Sequence, residues 1–171
     1  MKLKNKGDDR DEKAIVDYCK KAIEAYMESL KVYTLDRSPM QYVVTQNNLG
    51  NTYARLADIE DRASNCKKAI AAYKEALQFS TLERQPIEYA VTQYNLGNIH
   101  AKLAEFEDET KNCEKAIEAY TESLKVYTHQ DFPMQFAMAQ YKLGNEYGRL
   151  ADVENIVHSV DDIKYGGLLN Q

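Results

Sequence analysis

Residues 21–34 read KAIEAYMESLKVYT, and residues 115–128 read KAIEAYTESLKVYT. One substitution separates two long stretches at opposite ends of the chain. The interval between them is twice a shorter one, which the cysteines reveal. Cys19, Cys66 and Cys113 are each 47 residues apart. Ala22, Ala69 and Ala116 keep the same spacing, as do Tyr26, Tyr73 and Tyr120, and Leu30, Leu77 and Leu124. Pro39, Pro86 and Pro133 come next in each period, and then Gly50, Gly97 and Gly144. A register held through three copies is the signature of a repeat architecture, in which each copy is one unit stacked on the next.

Each period holds two helical patterns. The first is predicted over about 12–33, 64–80 and 110–128. Within it Ala22, Ile23, Tyr26, Leu30 and Tyr33 form an apolar stripe at helical spacing, with Lys and Glu opposite. The second is predicted over about 39–60, 86–107 and 133–155, each copy opening on its proline. Proline at the first helical position costs nothing, because its missing N–H would be unpaired there anyway. Ser38 stands where it can cap the helix that Pro39 opens. Short links make consecutive helices antiparallel. The fold class expected is therefore all-α: a solenoid of helix hairpins with about six long helices and a short carboxyl-terminal tail. The repeats are expected at 11–57, 58–104 and 105–151, within an array over 11–155. A leader precedes it at 1–10. The 47-residue register fails beyond it, where its next steps fall on Val160, Ile163 and Gly167. The stretch 156–171 is thus either a short, less regular cap or the start of further chain in a longer array.

A glycine inside a helix costs about 1 kcal/mol relative to alanine. Taken three times at one position, that cost implies a close approach of the paired helix. A helix end at each glycine is the other explanation, but the sequence after it, such as NTYARLADIE after Gly50, continues the helical pattern.

These motifs resemble the tetratricopeptide repeat family. Leu49-Gly50 with Tyr53 and Leu143-Gly144 with Tyr147 match its first helix, and Leu96-Gly97 departs from it with His100. Ala69, Tyr73, Ala76 and Leu77, then Ala116, Tyr120, Ser123 and Leu124, match its second. The usual period is about 34, so both helices here look lengthened. They are similar to the extended repeats of kinesin light chains, of Leu-Gly-Asn repeat adaptors and of bacterial arrays attached to caspase-like peptidase domains. In this frame the chain opens on the family's second helix and closes on its first, a half-repeat at each end.

Chemistry beyond binding finds no foothold. Equivalent positions in stacked repeats lie about 8–10 Å apart, whereas a disulfide needs Cα atoms within about 7 Å. The cysteines are expected as packed thiols. His100, His129 and His158 do not pair as metal ligands, and neither a phosphate loop nor a nucleophile elbow is present. No catalytic residue, cofactor or metal is expected. The net charge of -5 counts against nucleic acid. No run of about 18 apolar residues suits a membrane, and the amino terminus lacks the apolar segment of a signal peptide. A cytoplasmic location is the default.

One polar pattern recurs. Asn51, Asn98 and Asn145 stand directly after the glycines, and Arg55, Lys102 and Arg149 come four residues later on the same helix face. Asn48 and Asn95 widen this ladder, and Lys142 takes the equivalent place in the third copy. Asparagines so placed can bridge neighbouring helices or face a ligand. The resemblance implies the second: the residue after Leu-Gly faces the concave groove, and Asn there bonds a bound peptide's backbone. The family's clamp lysine is absent, its place taken by Asn47, Tyr94 and Tyr141. Tyr94 and Tyr141 themselves suit either the groove or helix packing. The expected function is that of an interaction scaffold, holding a peptide or helical segment of a partner protein against those nine ladder residues. Cations within an acidic chain point to an acidic partner segment. A self-associating array, joined through its exposed ends, is one alternative. A regulatory piece of a larger signalling or peptidase assembly is another.

Overall fold

Proline opens every second helix of this chain, and the glycine deeper in the first two of those helices sets how closely the next one packs. The computed structural model describes the backbone of residues 8–166 and the side chains of residues 11–155; the remainder of the sequence lies outside the described residues. Six α-helices pack in sequence as antiparallel hairpins. They are α1 (Asp8–Ser29), α2 (Pro39–Leu56), α3 (Arg62–Leu77), α4 (Pro86–Leu103), α5 (Glu109–Leu124) and α6 (Pro133–Gly166). The closest pairs are α2 with α3 and α4 with α5. In addition α2 touches α4 and α4 touches α6, whereas among the described residues α1 does not reach α3, nor α3 reach α5. The layer whose members meet directly is the inside of a curved stack. So α2, α4 and α6 line the inner face, and α1, α3 and α5 the outer.

The glycines explain the tight pairs. A methyl group on Gly50 would stand 2.6 Å from Cε1 of Tyr73, and one on Gly97 2.6 Å from Cε1 of Tyr120. Each glycine is the flat bed on which the next helix lays a tyrosine ring. Both rings are essentially buried, and their hydroxyls donate to Asn51 Oδ1 (2.7 Å) and Asn98 Oδ1 (2.9 Å). Around Tyr73 the core draws on Ala57, Cys66, Ala69, Leu96, Ile99 and Leu103. Small residues let the backbones meet, and the larger ones fill the hollow between hairpins.

Two helices of the inner layer, α2 and α4, end about four residues sooner than the apolar pattern suggests. The corner after each is built by two residues the periodicity does not expose. Asp61 and Asp108 take left-handed backbone angles, φ 45° and 41°, a conformation aspartate tolerates better than most. Buried Asn65 and Asn112 then reach back to the carbonyls of Glu60 (2.8 Å) and Glu107 (2.7 Å). Ser38 occupies the cap position of α2, yet its hydroxyl makes no cap bond. Instead the Thr34 hydroxyl accepts from the Arg37 amide.

Both termini depart from expectation. Asp8–Arg10, read as part of a leader, already belong to α1. Aspartates in its first turn suit the positive end of the helix dipole. The stretch after Asn155, expected to be less regular, continues α6 without a break to Gly166. Loss of the repeat register removes the signal for packing, not the capacity for helix: neither Pro nor Gly occurs from Leu150 to Tyr165.

The three cysteines are free and buried. Burial pushes the Cys66 thiol above its ordinary range. The same burial, with a hydrogen bond to Glu146, pushes Cys113 up to about 11. The thiolate is the reactive form. At pH 8, Cys66 and Cys113 are therefore expected to resist a disulfide-exchange reagent in the native protein and to react promptly in denaturant. Equal rates in the two conditions would contradict this packing.

Candidate functional site

All nine residues of the polar ladder lie on α2, α4 and α6, but the structure divides them. Asn98, Lys102, Lys142 and Arg149 come together in a groove of about 630 Å³ between α4 and α6. Tyr94, Ala101, Glu105, Met138 and Glu146 complete its walls. Asn51 and Asn95 meet in the preceding step, between α2 and α4, and Asn48 and Arg55 lie on α2. Asn145 is exposed on α6.

Asn51, Asn95 and Asn98 hold helices together. Asn51 Oδ1 accepts from the Tyr73 hydroxyl and from Asn95 Nδ2 (3.2 Å), and Asn98 Oδ1 accepts from Tyr120. With its oxygen occupied in this way, Asn98 presents its amide nitrogen as the remaining donor. Asn48 contributes a backbone carbonyl, which accepts from the Thr52 hydroxyl (2.8 Å).

Two of the four ladder cations are already engaged. Lys102 Nζ donates to Asp58 Oδ1 (2.5 Å) and to the Ala54 carbonyl (3.3 Å). Arg149 repeats the arrangement one step on. Its Nη1 donates to the Ala101 carbonyl (3.1 Å) and Glu146 Oε2 (3.3 Å), and its Nη2 to Glu109 Oε1 (3.2 Å). Each cation thus reaches back to the last turn of the preceding inner helix, α2 for Lys102 and α4 for Arg149, where carbonyls lack helical partners and the dipole is negative. These two act first as ties between repeats. Arg55 is exposed, and Lys142 lies half-exposed in the groove. The sequence pattern missed Glu105 and Glu146. They make the groove mixed in charge rather than a plain basic stripe. Glu146 is buried where the preceding copy has Ile99, and that break in the repeat was the available signal.

Tyr94 serves both purposes considered for it: its ring packs against Tyr120 (centroids 5.8 Å apart) and it lines the groove. Tyr141, its counterpart on α6, is exposed. His100, in the place of a core tyrosine, is buried away from this groove. Its Nδ1 pairs with Asn112 Oδ1 at 3.1 Å. Burial lowers its pKa; the Asn112 bond opposes this, and Lys115 and Lys74 add to it.

Residues 43–81 match the tetratricopeptide repeat family, and they span most of α2, all of α3 and the turn after it. The chain therefore carries a tetratricopeptide repeat there, within an array whose other hairpins keep the same spacing. Neither the curated proteins nor the solved structures contain a match. Among the described residues, no helix is long and apolar enough to cross a membrane.

Proposed function

We propose that the chain is a protein-interaction scaffold whose inner groove between α4 and α6 holds a polypeptide segment of a partner. The groove itself carries this proposal. It offers apolar floor from Tyr94 and Met138, a fixed amide donor from Asn98, and the ammonium of Lys142, all from rigid helices. Tetratricopeptide repeats are in general protein-interaction modules, and a donor held by Tyr120 suits a backbone carbonyl without demanding a particular side chain. Lys142 favours an acidic residue in the segment, as Arg55 does further along the face. Lys102 and Arg149 add positive potential but are tied to Asp58 and Glu109.

A peptide-display selection against the purified chain tests this, with variants then assayed against the selected peptide. Lys142→Glu is expected to weaken binding about tenfold and to remove most of its salt dependence. Asn98→Asp removes the donor while keeping the acceptor for Tyr120, and is expected to weaken binding severalfold, on the scale of one lost hydrogen bond. Reversing Lys102 or Arg149 is less informative, because either change strands a carboxylate and unties two repeats. If peptides bind both variants as tightly as the parent at low salt, the groove is not the site.

A further inference from the structure

The two ends of the array are halves of one pair. In α2–α3 and again in α4–α5, an inner helix offers a glycine and an asparagine, and an outer helix fills them with a tyrosine. At the far end α6 offers Gly144 and Asn145 with nothing within 4 Å of the place a Cβ would occupy. At the near end α1 carries Tyr26 in the register of Tyr73 and Tyr120, only half-buried and, among the described residues, with no inner helix before it.

The neighbouring positions agree. Tyr141 is 68% exposed, whereas its counterpart Tyr94 packs on Tyr120. Tyr147 is 56% exposed, whereas its counterpart His100 is buried against Asn112. The α1 counterpart of Asn112 is Tyr18, 71% exposed. These three aromatic side chains lie on the two faces that a completed pair would cover. The helix lengths fit as well. In the register of α3 and α5, α1 would begin at residue 15, yet it begins at Asp8. In the register of α2 and α4, α6 would end at residue 150, yet it runs to Gly166. In an antiparallel pair those two extensions lie side by side.

We propose that α6 of one chain receives α1 of a second copy, completing the hairpin that each end lacks. Tyr26 of the incoming copy lies on Gly144 and donates to Asn145, and Tyr18 covers Tyr147. The described chain does not cover this face itself, because α6 stays helical through Val160 and Ile163, where the register would place the next outer helix. The contact joins unlike surfaces, so each added copy presents the same free ends again and the assembly stays open. It leaves the inner groove uncovered and lengthens it.

Sedimentation velocity of the 171-residue chain across a wide concentration range tests this. The mass is expected to rise steadily from the 19.6 kDa of one chain, without stopping at two. Tyr26→Ala removes the incoming side chain, and Gly144→Leu fills its bed where the monomer has open space. Each variant alone is expected to stay at the mass of one chain. Mixed, they still own one intact end each, and are expected to form a one-to-one dimer that grows no further. A parent chain that remains single at millimolar concentration overturns the proposal. So does assembly of either variant alone as in the parent, or a mixture that fails to pair while both variants keep the parent's helical circular dichroism.

Discussion

Gly97→Ala is expected to destabilise the protein by about 2 kcal/mol, while the same change at Gly144 stabilises it by up to about 1 kcal/mol. The two glycines share a motif, a helix type and a place in the repeat, so only their surroundings separate them. Alanine gains the same helix propensity at both. At position 97 its methyl would meet the Tyr120 ring at 2.6 Å, well inside the 3.5–4.0 Å of carbon–carbon contact. The ring cannot step aside. It is fully buried, its hydroxyl is held by Asn98, and Tyr94 packs against its face. At position 144 the methyl meets nothing. Thermal or urea unfolding, run dilute so that single chains are compared, reads both. A loss at Gly144 equal to that at Gly97 would mean that the close approach is not what these glycines provide.

A steep alkaline collapse is the second large effect. Burial raises the pKa of both Tyr73 and Tyr120 far above the ordinary value near 10. Burial, then the hydrogen bond to Glu122, raises Tyr89 to about 12. Below pH 10 these phenols are neutral in the folded and unfolded chains alike, and their contribution is fully present. As pH rises above 10 the unfolded chain releases their protons while the folded chain keeps them. Stability therefore falls, and it continues to fall until the folded pKa is passed. Each buried tyrosine contributes about 1.4 kcal/mol per pH unit in that window. With Tyr73 and Tyr120 together the loss by pH 12 is about 5 kcal/mol, as large as the whole stability of many domains. Chemical denaturation between pH 8 and pH 12 measures the slope. Tyr120→Phe should flatten it by about a third. A slope near zero above pH 10 would mean that water reaches these rings.

The fold was legible because a 47-residue register needs no knowledge of packing: three prolines, three glycines and three tyrosines report it directly. The helix ends were less so. Asp61 and Asp108 turn the chain through backbone angles that leave no periodic trace, and α6 outlives its register because helix propensity and repeat identity are separate properties. The site was half legible. Spacing along one helix puts Asn98 beside Lys102, but the partners that occupy those residues come from distant parts of the chain. Tyr120 lies 22 residues from Asn98, and Asp58 lies 44 from Lys102. Such distances depend on how far one hairpin slides along the next. A hint was present in the ties Lys20–Glu60, Lys67–Glu107 and Arg149–Glu109, all 40 residues apart, but it becomes readable only once the stacking is known.

Among the described residues, contact passes only between adjacent helices and along one layer. Folding is then close to a problem in one dimension. No long-range closure has to be achieved before local structure is rewarded, so any hairpin can serve as the nucleus. Opening can likewise begin at one place without committing the rest. The protein's resistance to unfolding is a profile along the chain rather than a single number. Its crest lies where helices have neighbours on both sides, around α3 to α5, and it slopes down toward α1 and α6. A partner lying across α4 and α6 would brace the falling edge of that profile.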